Sequence, residues 1–329
     1  MRSLLVKICI LFAWCIIAIQ TLDAQDKAQY MALITAKTGN VLLKKAGRTE
    51  FVKTDWGTQL FRGDQVKTEV NSEVSLTFSD GTIFKVPPGR IYEVPAANPT
   101  SPAVDGTVKK ATSSMMASMS ALNTRRENSR DAGALAGVRS AGIEEPIELT
   151  SPYNTLIKTS RPTFTWIPKK QFDKYIVNLY NSKGLVWSNR VSQNSLKFPE
   201  GEKALEPGET YFWNVEGEDL LDNKKSPSYK FSVLSFEKTR EVLDQEALIR
   251  KTFDNDSDSS SLHSFLGAFY INQGLLQDAI NEFEIISGMN PDAPLPHEIL
   301  GSLYSDVGNK EKAIEELQKA LALSKGKGN

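Results

Sequence analysis

The stretch SLHSFLGAFYINQGLLQDAINEFEIISGMNP, residues 261–291, decides how the last part of this chain folds. Within it His263, Leu266, Gly267, Tyr270, Gly274 and Ala279 recur at a fixed offset of 34, as His297, Leu300, Gly301, Tyr304, Gly308 and Ala313. A period of 34 implies a helix–turn–helix unit that buries its apolar face by stacking on a copy of itself. The late apolar slot holds Phe283 and then Leu317, and Pro291 stops the first unit. Both histidines of the protein fall in this register, which assigns them to packing positions.

A large residue, then Leu-Gly, Tyr, Ala, an apolar residue and Pro is the order seen here, and it resembles the tetratricopeptide repeat family. His263 and His297 stand where that family has Trp. The resemblance implies an all-α array of two repeats over 260–329, and partner binding in place of catalysis. In members that grip a peptide's terminal carboxylate, Lys and Asn recur on the first helix of each unit. The matching positions here hold Ser264 and Ala268, then Glu298 and Ser302, so no carboxylate clamp is expected. The implied groove is lined by Ala268, Ile271, Asn272, Glu298, Ser302 and Asp306, with no cation among them. That favours a helical or apolar partner segment with a basic edge.

Two repeats alone expose much apolar surface, since arrays usually need about three units or caps. The segment 235–259 reads as a linking, capping helix followed by an acidic linker. Val242, Ile249 and Phe253 share one helical face, with Leu243 and Ala247 beside it. Asp254-x-Asp256-x-Asp258 invites a calcium-loop reading. Ser259 stands where such a loop needs Gly, however, and Phe265 where it needs Glu. A solvated linker that caps the next helix through Ser or Asp fits better.

At the other end, Arg2 and Lys7 precede an apolar run from Ile8 to Ile19, followed by Leu22-Asp23-Ala24. This is the layout of a cleaved secretory signal over 1–24. The run falls short of the ~20 apolar residues that span a bilayer. Cys9 and Cys15, the only cysteines, would leave with it, so no disulfide, thiolate nucleophile or thiolate metal site is expected afterwards. Loss of Arg2, Lys7 and Asp23 takes the 39 basic and 40 acidic residues to 37 and 39, a net charge of −2. Such a balance gives no electrostatic case for nucleic acid or an anionic membrane.

Residues 30–95 read as short strands separated by glycine turns, with Asp80-Gly81 as a hairpin signal. The order Gly57, Leu60, Gly63-Asp64, Thr68, then Asp80-Gly81, is similar to the FecR domain family. Asp64 and Asp80 read as turn formers, with a ligand contact as the lesser alternative. Residues 96–145 are rich in Pro, Ser, Ala and Gly and read as a linker. Within it Met115, Met116, Met119 and Leu122 have the spacing of a short amphipathic helix, and Ala134–Ser140 looks like a remnant of an element that trails FecR domains. Residues 146–234 are β-rich again. Trp166, then Leu205-x-Pro207-Gly208-x-x-Tyr211-x-Trp213, is similar to a fibronectin type III sandwich, in which a turn presents a Tyr that caps the neighbouring backbone. Trp166 and Trp213 are core candidates, with carbohydrate stacking as the alternative.

The expected protein is thus multidomain: an all-β FecR-like domain, an all-β fibronectin/Ig-like sandwich and an all-α repeat array. No catalytic motif, phosphate loop, dinucleotide fingerprint or metal signature is present, so no catalytic residue, cofactor or metal is expected. Lys37-Thr38-Gly39 and Ser235-x-x-Lys238 occur in the wrong order for a penicillin-binding enzyme. The reading is an exported bacterial envelope protein, periplasmic or outer, that holds protein partners through its repeats. Envelope signalling of the FecR type is the first rival; with seven residues ahead of the apolar run, little chain could reach a cytoplasmic regulator. Glycan binding by the β domains is the second, and only scattered aromatics speak for it. N-terminal sequencing of exported protein should read from near Gln25, and an intact, membrane-embedded 1–19 segment would overturn the signal reading.

Overall fold

Continuous and alternating apolar runs give two β units, and period-34 helices close the chain. The computed structural model describes residues 30–99, 106, 108–113, 116–117, 145–220, 223–253 and 259–325. The first unit comprises β1 (Ala32–Thr38), β2 (Val41–Lys44), β3 (Val52–Lys53), β4 (Gln59–Leu60), β5 (Gln65–Thr68), β6 (Glu73–Phe78), β7 (Ile83–Val86) and β8 (Ile91–Glu93). Its two sheets run β4-β1-β6-β7 and β3-β2-β5-β8. Asp80-Gly81 turns β6 into β7, with Gly81 at φ +90° and the Asp80 carboxylate accepting the Thr82 N–H at 2.9 Å. Asp64 is buried and accepts from the N–H groups of Ala46 and Phe61, both at 3.0 Å, and from Lys45 Nζ at 2.8 Å. Both aspartates are therefore engaged in the fold, as the turn reading expects.

Strand β1 explains how this unit docks. Side chains alternate across a strand. Ala32 and Ile34 enter the unit's own core with Val41, Leu60, Leu76 and Phe78. Leu33 points the other way, into a core shared with the rest of the molecule. Thr35 follows on that outer face, hydrogen-bonded to Thr77 Oγ1 at 2.9 Å and Ser261 Oγ at 2.8 Å.

The second unit contains β9 (Ile147–Ser151), β10 (Thr155–Ile157), β11 (Thr163–Pro168), β12 (Lys174–Asn181), β13 (Gly184–Val191), β14 (Ser195–Lys197), β15 (Thr210–Glu218), β16 (Asn223–Lys225) and β17 (Tyr229–Val233). One sheet is β14-β11-β9; the other is β10-β17-β15-β12-β13, with β16 on β15. Phe164, Trp213 and Phe231 meet between them. Tyr211 is buried, and its hydroxyl accepts the Glu206 N–H at 2.9 Å, the corner that the Leu-x-Pro-Gly-x-x-Tyr spacing predicts. Trp213 Nε1 donates to the Pro152 carbonyl at 2.7 Å. Trp166 and Trp213 are 2% and 0% exposed, so neither can stack on a sugar.

Helices α1 (Phe236–Thr252), α2 (Ser260–Gln273), α3 (Leu276–Met289), α4 (Pro294–Val307) and α5 (Lys310–Lys325) follow. In α1, Val242 and Ile249 are buried as predicted, whereas Leu243 and Ala247 are exposed. Phe253 then packs edge-on against Phe265 of α2. Ser259 caps α2, accepting the Leu262 N–H; Asp254, Asp256 and Asp258 lie outside the described residues, as do 1–29, Met115, Met119, Leu122 and Ala134–Ser140.

Two expectations need correction. The stretch 96–145 is not wholly a linker: 108–113 and 116–117 are helical, and Val108, Ala111, Thr112 and Met116 are buried. The short spacing of those apolar residues is masked by the polar, small-residue composition around them. The multidomain expectation also needs sharpening, because the units are not independent. Leu33 and Trp56 of the first unit, most of the second unit's interior and the helices belong to one apolar cluster. Removing 236–329 would strip that shared core, so the β units are not expected to survive the deletion unchanged. Gly57 marks the contact: it sits at φ +79°, and a Cβ there would run into Leu295 of α4. Calorimetry should give one main unfolding transition, and Gly57→Leu should lower its stability by about 1–3 kcal/mol. Separate transitions for the β units and the helices would show that the shared core contributes little.

Candidate partner-binding groove

Each hairpin turn needs a left-handed residue, which glycine adopts without strain. Gly274 (φ +72°) ends α2 and Gly308 (φ +94°) ends α4. Within the hairpins, a Cβ at Gly267 would lie 2.7 Å from the Phe283 ring, and one at Gly301 2.6 Å from Leu317. The repeated glycines thus make room for the opposing side chain of α3 or α5. Leu266, Ala279, Leu300 and Ala313 are buried; Pro291 is exposed just past the end of α3, and Leu317 keeps 39% exposure because nothing further covers α5 among the described residues.

The two histidines do the same job twice. His263 Nδ1 meets Glu282 Oε2 at 2.6 Å, and His297 Nδ1 meets Glu316 Oε2 at 2.6 Å. Glu282 and Glu316 are themselves 34 apart, as are Ile280 and Ile314. These matches were legible in the sequence, and they identify His-to-Glu as the tie between the helices of each hairpin. Burial pushes the Glu316 carboxyl up, but hydrogen bonds from His297 and Lys319 outweigh it and hold the group below its ordinary value.

The tyrosines diverge. Tyr304 donates to Glu284 Oε1 at 2.6 Å, joining the second hairpin to the first. Tyr270 instead receives Lys158 Nζ at 3.0 Å. Lys158, just past β10, also bonds Glu246 Oε2 of α1 at 2.7 Å and pairs with Asp278 Oδ1 of α3 at 3.3 Å. Burial opposes the lysine's charge, yet these partners raise its pKa. Burial raises Tyr270 to about 12 and also raises Asp278. No sequence pattern announced this cluster, because its members lie in separate units.

The β units clasp the hairpins by their ends. At the turn ends, Leu156 N–H donates to the Gly274 carbonyl at 3.2 Å, Asn154 Nδ2 to Val307 O at 2.5 Å, and Asn309 Nδ2 to Glu148 Oε1 at 3.0 Å. At the start of α2, Ser260 Oγ donates to the Thr35 carbonyl at 2.9 Å, and midway along α3 Trp56 packs edge-on against Phe283.

The predicted groove residues split into two groups. Ala268 is 1% exposed and Ser264 is 0% exposed, so these two α2 positions are packed inside and not open as expected. Toward the end of α2, Gly106, Lys110 and Ala111 line a 210 Å³ pocket together with Asn272, Phe269, Gln273 and Gln245. Ile271, Glu298 and Ser302 are half-buried, and Asn272 and Asp306 are exposed. Among the described residues, no group of three or more His, Cys, Asp or Glu could hold a metal ion. No described helix is long and apolar enough to cross a membrane.

No family model matches the chain, and no curated protein matches it. Solved structures that match include the fn3 domain of human collagen alpha-1(XX) chain, 16% identical over 29% of this chain and 93% of that one, TM-score 0.22. Fibronectin(III)-like modules of Clostridium thermocellum CbhA match at 11% identity over 62% of this chain and 79% of theirs, TM-score 0.19. A beta-1,2-glucanase from Parabacteroides distasonis matches at 12% identity over 90% of this chain and 49% of that one, TM-score 0.23. Scores this low carry no argument about fold or activity. The description of the second unit rests on its sheet order and the Tyr211 corner.

Because the Glu316 carboxyl is held below its unfolded value of about 4.3, its contribution is present above that pH and lost as pH falls through the folded value. Urea unfolding at pH 7 should show Glu316→Gln less stable by about 1–2 kcal/mol, and the gap should shrink at pH 3. A gap that is unchanged at pH 3 would mean the ionised carboxylate is not what matters.

Proposed function

We propose that this is a non-enzymatic, exported bacterial envelope protein whose helical hairpins are tetratricopeptide-like repeats that hold a protein partner. Its β units are taken as FecR-like and fibronectin type III-like. The observation that carries the reading is the α4 side of the groove. Glu298, Ser302 and Asp306 fall at four-residue steps on one helical face, half-buried to exposed, while the opposite faces and both ends of the hairpins are committed to packing. A surface kept polar and accessible on an otherwise clasped element suits recognition. The histidines, which a hydrolytic triad would need, are tied to glutamates inside the hairpins.

Export rests on the apolar run at 8–19 and Ala24, and places the partner in the periplasm or at the outer envelope. A photo-crosslinking residue at Asp306, used in intact cells, should capture a partner that a probe at Leu185, exposed on β13, does not. Asn272→Ala with Asp306→Ala should weaken capture several-fold and leave the melting temperature unchanged. Equal capture from both probes, or indifference to the double variant, would move the binding surface to the β units.

A further inference from the structure

Because the hairpin occurs twice, the molecule shows what each helical face needs. In the first hairpin, Ile280 and Phe283 of α3 are 1% and 2% exposed. The second hairpin lies against that helix, with Tyr304 of α4 donating to Glu284, and Trp56 packs on Phe283. The same register positions in the second hairpin are Ile314 and Leu317 of α5, and each keeps 39% exposure. One offset thus gives two buried side chains where a neighbour is present. It gives two uncovered ones where no neighbour stands among the described residues.

Repetition alone would leave such a face if α5 merely copied α3. It does not copy it. Leu321, 40% exposed, stands where α3 has Ser287, and so adds apolar surface that the internal interface does without. Lys310 stands where α3 has Leu276. Lys310, Ile314, Leu317, Leu321 and Lys325 follow at steps of four, three, four and four, which places them in one stripe along the helix. Its centre is aliphatic and its two ends are basic. Both lysines are exposed, and no carboxylate of the described residues pairs with either. The glutamates of α5 are engaged off the stripe: Glu311 with Lys169, Glu315 with Lys319, and Glu316 with His297 and Lys319.

We propose that this face of α5 docks one helix of a protein partner, so that the hairpin-on-hairpin interface continues from this molecule into another. The occupant is an amphipathic helix with an aliphatic stripe and a carboxylate at each end of that stripe. A second copy of the chain fits less well. The flank of α2 is already covered by α1 and Phe253, so a head-to-tail stack has no free face to set on α5. Pairing α5 with α5 in either direction brings lysine ends together, and like charges in contact are unfavourable. This surface is separate from the α4 groove, and its assignment rests on reading the hairpins as an array that binds protein.

The test uses the chain from Gln25 onward and a fluorescein-labelled helical peptide, followed by anisotropy. The peptide's leucines repeat the spacing of Ile314, Leu317 and Leu321, with a glutamate at each end of that stripe. It should bind saturably, and a version with lysine at both ends should not. Ile314→Ser with Leu321→Ser should weaken binding about ten-fold and leave the melting temperature unchanged, because both side chains are already partly in solvent. Lys310→Glu with Lys325→Glu should reverse the preference, so that the lysine-ended peptide binds better. If the serine variant melts lower, this charge reversal decides alone. No binding, equal binding of the two peptides by the wild type, or indifference to the substitutions overturns docking on α5. Sedimentation that shows a dimer lost in the serine variant overturns it too, in favour of a second copy. Asn272→Ala with Asp306→Ala should leave peptide binding unchanged. Capture at Asp306 without peptide binding rejects only the α5 surface, whereas peptide binding without that capture supports α5 and rejects the α4 groove.

Discussion

Two helical hairpins have too few neighbours to bury their own apolar surface, because each unit relies on a copy on either side. Everything else in this molecule follows from how that shortage is met. Helix α1 covers one flank through Phe253 and Phe265. The first β unit covers the helix starts through Leu33, Trp56 and Gly57, and the second covers the turns through Glu148, Asn154 and Leu156. The β units therefore serve as caps. This also explains why β1 is apolar on both faces: Ala32 and Ile34 stabilise the first unit, and Leu33 stabilises the helices. The flank of α5 has no such neighbour among the described residues, and there Ile314, Leu317 and Leu321 stay about 40% exposed.

Apolar packing fixes that the units meet; a polar cluster fixes how. Lys158 sits among Glu246, Tyr270 and Asp278, contributed by three different helices. Such a buried group adds little net stability over well-packed apolar side chains, since desolvation offsets most of the attraction. Its effect is on the alternatives. A second β unit shifted along the turns would leave the Lys158 ammonium buried without carboxylates, which costs several kcal/mol. The Asn154 and Asn309 bonds to the second turn act likewise, because unpaired amides there would lose their partners.

What the sequence showed and what it hid divide along one line. Contacts within a unit were legible. The 34-residue register located the hairpins, the Asp80-Gly81 pair located a turn, and the spacing from Leu205 to Tyr211 located the corner. Glu282 and Glu316 were equally legible at the same offset, and they complete the two histidine pairs. Contacts between units left no local trace. Lys158 is 88 residues from Glu246, and Thr35 is 226 from Ser261. For the groove, sequence spacing placed Asn272 and Asp306 correctly at the surface, yet Ala268 is covered. Val108, Ala111 and Met116 join the shared core from a stretch whose Ser- and Ala-rich composition resembles a linker, because a short helical segment needs only three or four apolar residues.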